Sequence, residues 1–72
     1  RNADPFMEAN AMWNLSITCQ KSGDFTDALN NAELASQICS GAQNNDNIEK
    51  LAEEVKEWMI KRVEDEIKGS GL

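Results

Sequence analysis

Gly23 and Asp24 stand side by side between two segments whose apolar residues recur every three or four positions. Glycine takes the positive φ that closes a helix, and aspartate caps the helix that follows. Lys21-Ser22-Gly23-Asp24-Phe25-Thr26-Asp27-Ala28 therefore ends one helix and starts the next with no room for a linker. Phe25 and Ala28 are expected to seat the second helix back against the first. The constraint is a tight helical hairpin.

The same punctuation recurs along the chain. Asp4-Pro5 supplies an N-cap and a proline at the first helical position, and Gly23 closes that first helix. Asp24 caps the second, whose end Gly41 is expected to follow. Gln43-Asn44-Asn45 reads as a polar loop, and Asp46 with Glu49 three residues on as a capping-box start for a third helix closed at Lys68-Gly69. No segment alternates with the period of two that a half-buried strand requires. The chain reads as all-α.

At about 100° per residue the apolar positions sort into faces. On the first helix Met12, Leu15, Ser16 and Cys19 share the side expected to meet the second, while Phe6, Ala9, Trp13 and Ile17 form another. A two-helix hairpin leaves that aromatic side wet, so a third element must cover it. On the second helix Phe25, Ala28, Leu29, Ala32, Ala35 and Cys39 form a stripe of mostly small residues that lets two axes approach closely. Leu34 and Ile38 fall outside it, beside Asp27 and Asn31. The third helix is the longest. Its core line is Ile48, Leu51, Ala52, Val55, Met59 and Val63, with Trp58 on one flank and Ile60 and Ile67 on the other, next to Glu53, Glu57 and Glu64. Glu57–Lys61 and Glu64–Lys68 are expected as i,i+4 ion pairs. The expected fold is a compact antiparallel three-helix bundle over residues 1–68, with 69–72 as a flexible tail or linker.

At 72 residues, 40% of them apolar, the chain has material for one small domain. Opening on Arg1, it reads as a domain excised from a longer protein. The net charge of -6 is placed unevenly: Arg1 and Lys21 cancel Asp4 and Glu8, and no Lys or Arg lies between Ser22 and Ile48. Such a surface repels nucleic acid and anionic lipid and favours a partner carrying Lys or Arg. No apolar run approaches the ~20 residues of a membrane span. Cys19 and Cys39 fall too far apart along the hairpin to bridge, and both read as small buried hydrophobes in a reducing, cytoplasmic setting.

Catalytic chemistry is missing. With no His and no Tyr, the commonest general base and the phenolic acid are absent, and neither cysteine has an imidazole to activate it. Two Cys without His do not build a zinc site, and Asn44-Asn45-Asp46-Asn47-Ile48-Glu49 lacks the spacing and central glycine of a calcium loop. The chain reads as a binding module rather than an enzyme, with no cofactor and no metal.

From Met12 to Ala35 the sequence resembles a tetratricopeptide repeat: Leu15, Gly23, Asp24, Phe25, Ala28 and Ala35 match its pattern, while Ser16, Cys19 and Ala32 depart from it. In length and plan it resembles the MIT (microtubule interacting and trafficking) domain, a TPR-like module with a long third helix. The shared features are Gly23-Asp24-Phe25-Thr26-Asp27-Ala28-Leu29 at the turn and Met59-Ile60-Lys61-Arg62-Val63-Glu64 on the third helix. Met59 replaces an aromatic of that family, and Gln20 an aspartate common before the turn. The resemblance implies a module that holds short helical tails of ESCRT-III proteins between its second and third helices, at endosomal membranes through those partners. It implies that Ile60 takes the tail's leucines and Glu64 its basic residue.

The residues independently suggest an apolar furrow edged by carboxylates and suited to a basic amphipathic helix: Leu34, Ile38, Glu53, Glu57, Ile60 and Glu64. Plainer readings stand beside this one. Leu34 and Ile38 also read as ordinary contacts between the second and third helices, Ile60 as a lone exposed apolar residue, the glutamates as a solvated face, and Trp13 and Trp58 as core. The expected molecule is a monomer. The alternative is an end segment of a TPR-like scaffold, or a module that associates with its own copy.

Overall fold

A computed structural model describes residues 4–43 and 45–69, and among these the chain forms three helices and no strand. They are α1 (Pro5–Ser22), α2 (Phe25–Gly41) and α3 (Asp46–Gly69). Asn44 of the expected loop and positions 70–72 of the expected tail lie outside the described residues, whereas Gly69 belongs to α3.

Local chemistry sets the boundaries. The Asp4 carboxylate accepts from the Phe6 N–H at 3.0 Å and opens α1 ahead of Pro5. Gly23, at φ 82°, closes it: its N–H donates to the Gln20 carbonyl at 3.1 Å, and the Asp24 N–H reaches the Cys19 carbonyl at 2.9 Å. Those two bonds satisfy carbonyls the helix end would otherwise orphan. The Asp24 side chain then accepts from the Asp27 N–H at 3.3 Å, so closing residue and opening cap are neighbours, as expected.

Two boundaries differ from expectation. Gly41 lies inside α2, and the helix stops because Ala42 turns extended at ψ 161°. Asp46 is the first residue of α3 rather than its cap. Asn45 holds that role, its Oδ1 accepting from the Ile48 N–H at 2.9 Å. Asn and Asp cap equally well; the cap falls where the side chain reaches the N–H of the third helical residue.

The core is built on small residues. Ala28, Ala32 and Ala35 of α2 and Ala9 and Ser16 of α1 have no exposed surface. Ser16 Oγ donates to the Ala28 carbonyl at 2.7 Å, which satisfies the buried hydroxyl while the two axes lie close. Helix α3 covers the aromatic side of α1, as that side required. Trp13 is buried, meets Trp58 edge to face at a centroid distance of 5.9 Å, and donates from Nε1 to Glu54 at 3.3 Å. Ile48, Leu51 and Val55 fill the space between. Cys39 is buried, Cys19 half-buried, and both are free thiols.

Several expectations are corrected by side-chain exposure and pairing. Phe25, expected to be seated against α1, is 39% exposed and lies under the Arg62 guanidinium of α3, 4.0 Å from ring centroid to Cζ. Val63, placed on the core line by periodicity, is 52% exposed, and Leu15, assigned to the inter-helix side of α1, is 48% exposed. Among the described residues the ion pair within 4 Å is Arg62–Glu66 at 3.9 Å, not Glu57–Lys61 or Glu64–Lys68. Arg62 is held in place by Phe25, whereas exposed lysines gain little from fixing a partner.

One dimension explains the exposure of Val63. Arg62 packs over the first residue of α2, so the residues after it run past the hairpin for roughly 10 Å at ~1.5 Å per residue. The molecule spans 47 × 22 × 14 Å, and its radius of gyration of 13.1 Å exceeds the ~11 Å of a globule this long.

Candidate functional surface

Four residues of α3 shape an apolar recess of the surface. Met59, Ile60, Val63 and Glu64 line a shallow groove of about 280 Å³. Ile60 and Val63 are 50% and 52% exposed, and Ile67 extends their stripe along the overhang at 57%. The spacing is three then four residues, which places them along one side of the helix. Glu53, Glu57 and Glu64 are exposed and border that stripe on its outer side, each within about 60° of Ile60. The three glutamates form one edge with Ile60.

Leu34 and Ile38 do not join them. The lower groove between α2 and α3, about 460 Å³, is lined by Ser36, Cys39, Ser40, Ile48, Glu49, Ala52 and Lys56. Leu34 is two residues from Ser36, about 200° round the helix, and so lies on the far side of α2. Ile38 shares the face of Asn31, whose Nδ2 donates to Cys19 Sγ of α1 at 3.8 Å. Ile38 thus packs half-buried towards α1, and Leu34 is 46% exposed on the side away from α3. The six expected site residues divide between two surfaces, and neither Leu34 nor Ile38 is a contact between α2 and α3.

Of the two residues expected on the core line here, Met59 packs against the core and Val63 is exposed; Arg62 had no expected role. The signal for Arg62 was present: it lies seven residues after Val55 and so on the core line of α3. An arginine there marks where the core ends. Its Nε is buried with no hydrogen-bond partner, while the guanidinium face covers Phe25 and Nη2 reaches Glu66.

Two groups have shifted acidities. A hydrogen bond to the Asp24 carboxyl, with repulsion between the two carboxylates, raises the pKa of exposed Asp27 from its ordinary value. Burial raises the Cys39 thiol and keeps it in the unreactive protonated form. Among the described residues no group of three or more Cys, Asp or Glu is disposed to hold a metal ion. No described helix is long and apolar enough to cross a membrane. No protein-family model, curated protein or solved structure matches the chain.

Proposed function

We propose that the chain is a non-catalytic protein-interaction module of the MIT kind, which holds a short basic amphipathic helix along the C-terminal half of α3. The observation that carries this reading is the groove of Met59, Ile60 and Val63, half-exposed at its rim and edged by Glu64. An apolar strip bordered by carboxylates complements a helix that has leucines on one face and Lys or Arg beside them. The resemblance of the turn and of residues 59–64 to MIT domains supports ESCRT-III tails as the partner class, with recruitment to endosomal membranes through them.

Titration of the ¹⁵N-labelled chain with a synthetic basic amphipathic tail peptide tests the reading. Shifts are expected at Met59 through Glu64 and at Ile67. Shifts confined to the α1–α3 seam around Phe6, Asn10 and Lys50 would relocate the site, and no shifts at all would sink the proposal. Because Ile60 is half-exposed, Ile60→Asp should leave the helical circular dichroism intact. It should weaken the peptide about four- to tenfold, from the half of the ~1.5–3 kcal/mol of a full isoleucine burial that its exposed surface can still supply.

The regular spacing of Ile60, Val63 and Ile67 also suits a second copy of the chain. A concentration-dependent dimer in light scattering, abolished by Ile60→Asp, would favour that self-association over tail binding.

A further inference from the structure

The hairpin of α1 and α2 has two broad sides, and α3 covers one. The other carries an apolar strip of its own. Its floor is half-buried Met12 and Cys19 of α1 with Asn31 and Ile38 of α2, joined across the pair by the Asn31–Cys19 contact. Its walls are Leu15 and Leu34, each nearly half exposed. Leu15 lies one turn before Cys19 and Leu34 one turn after Asn31. In antiparallel helices both steps lead the same way, so the leucines flank one furrow.

The charges at its ends have one sign. Glu8 continues the Met12 and Leu15 side of α1 beyond one end, and Asp27 continues the Asn31 side of α2 beyond the other; both are exposed. No Lys or Arg occurs between Ser22 and Ile48, and Lys21, two residues from Cys19, points to the opposite side of α1. Asp24 beside Asp27 adds to the unneutralised charge. From Glu8 to Cys19 the strip runs about three turns, roughly 16 Å.

We propose that this second side of the hairpin docks an amphipathic helix of another protein, about three turns long, whose apolar stripe is bracketed at both ends by Lys or Arg. A helix of that kind buries Leu15 and Leu34 as α3 buries the opposite side, and places a cation against each terminal carboxylate. A second copy of this chain lacks those cations. In any two-fold pairing of the strip with itself, Glu8 or Asp27 meets a carboxylate. The surface is separate from the α3 groove, so the two are tested apart.

The test uses the full 72-residue chain carrying Ile60→Asp, which disables the α3 groove. The probe is a synthetic Leu/Ala helix with lysines at both ends, and its control has glutamates in their place. Cys19 in the floor is the reporter, through its iodoacetamide alkylation rate by mass spectrometry, with buried Cys39 as internal reference. At ten times the dissociation constant, the lysine peptide should slow Cys19 about tenfold. The glutamate peptide should leave the rate unchanged, and Leu34→Asp should restore full reactivity. Asp27→Lys, at an exposed position, provides a second variant and should weaken the lysine peptide without altering helicity. An unprotected Cys19, equal protection by the glutamate peptide, or protection without peptide accompanied by dimerisation would each overturn the proposal.

Discussion

Two glycines separate backbone strain from packing at the residue scale. Gly23 holds φ 82° and Gly41 is helical, yet a methyl group added at either meets nothing within 4 Å. Sterics against neighbours therefore drop out of both substitutions, and only the backbone remains. Gly23→Ala forces an L-residue into the left-handed region and should cost about 1–2 kcal/mol. Gly41→Ala replaces glycine in a helix and should gain about 0.5–1 kcal/mol. For a domain of this size each kcal/mol shifts the thermal midpoint by about 4–8 °C, so the two variants should bracket the parent in a melting experiment. The same sign for both would mean that the hairpin does not depend on the turn at Gly23.

At the scale of the element, the caps and the alanine stripe were readable from the chain because both act locally. A carboxylate before Pro5, a glycine beside an aspartate, and alanines every three or four residues each act within a turn or two. The start of α3 was readable only to within one residue, since Asn45 and Asp46 are both good caps. Asn45→Ala should therefore cost about 1 kcal/mol and Asp46→Ala only a few tenths, read by urea denaturation. Equal losses would return the cap to Asp46. Leu34 and Ile38 failed for another reason. Periodicity places them off the α1-facing stripe, but a stripe has two edges, and only the position of α3 decides which edge it covers. The alanines that bring α1 and α2 together carry no information on that choice.

At the scale of the whole molecule, helix lengths decide what periodicity cannot. Val63 continues the core line of α3, and its exposure follows from the hairpin ending at Phe25 beneath Arg62, whereas Ile60 and Ile67 lie on the flank of that line. A residue has a core position only if an opposing element reaches it. The overhang therefore adds exposed apolar surface and little to the fold. Ending the chain after Glu66 keeps the Arg62–Glu66 pair and removes Ile67 with everything beyond it. Because Ile67, Lys68 and Gly69 are exposed, stability should change by no more than about 0.5 kcal/mol. The radius of gyration in small-angle scattering should fall below that of the parent. Affinity for the basic tail peptide should drop about fivefold, the share of an isoleucine's burial that its half-exposed side chain can still supply. A truncated chain that melts far below the parent would place Ile67 among the residues that hold the bundle together. One that binds the peptide unchanged would confine the groove to Met59, Ile60, Val63 and Glu64.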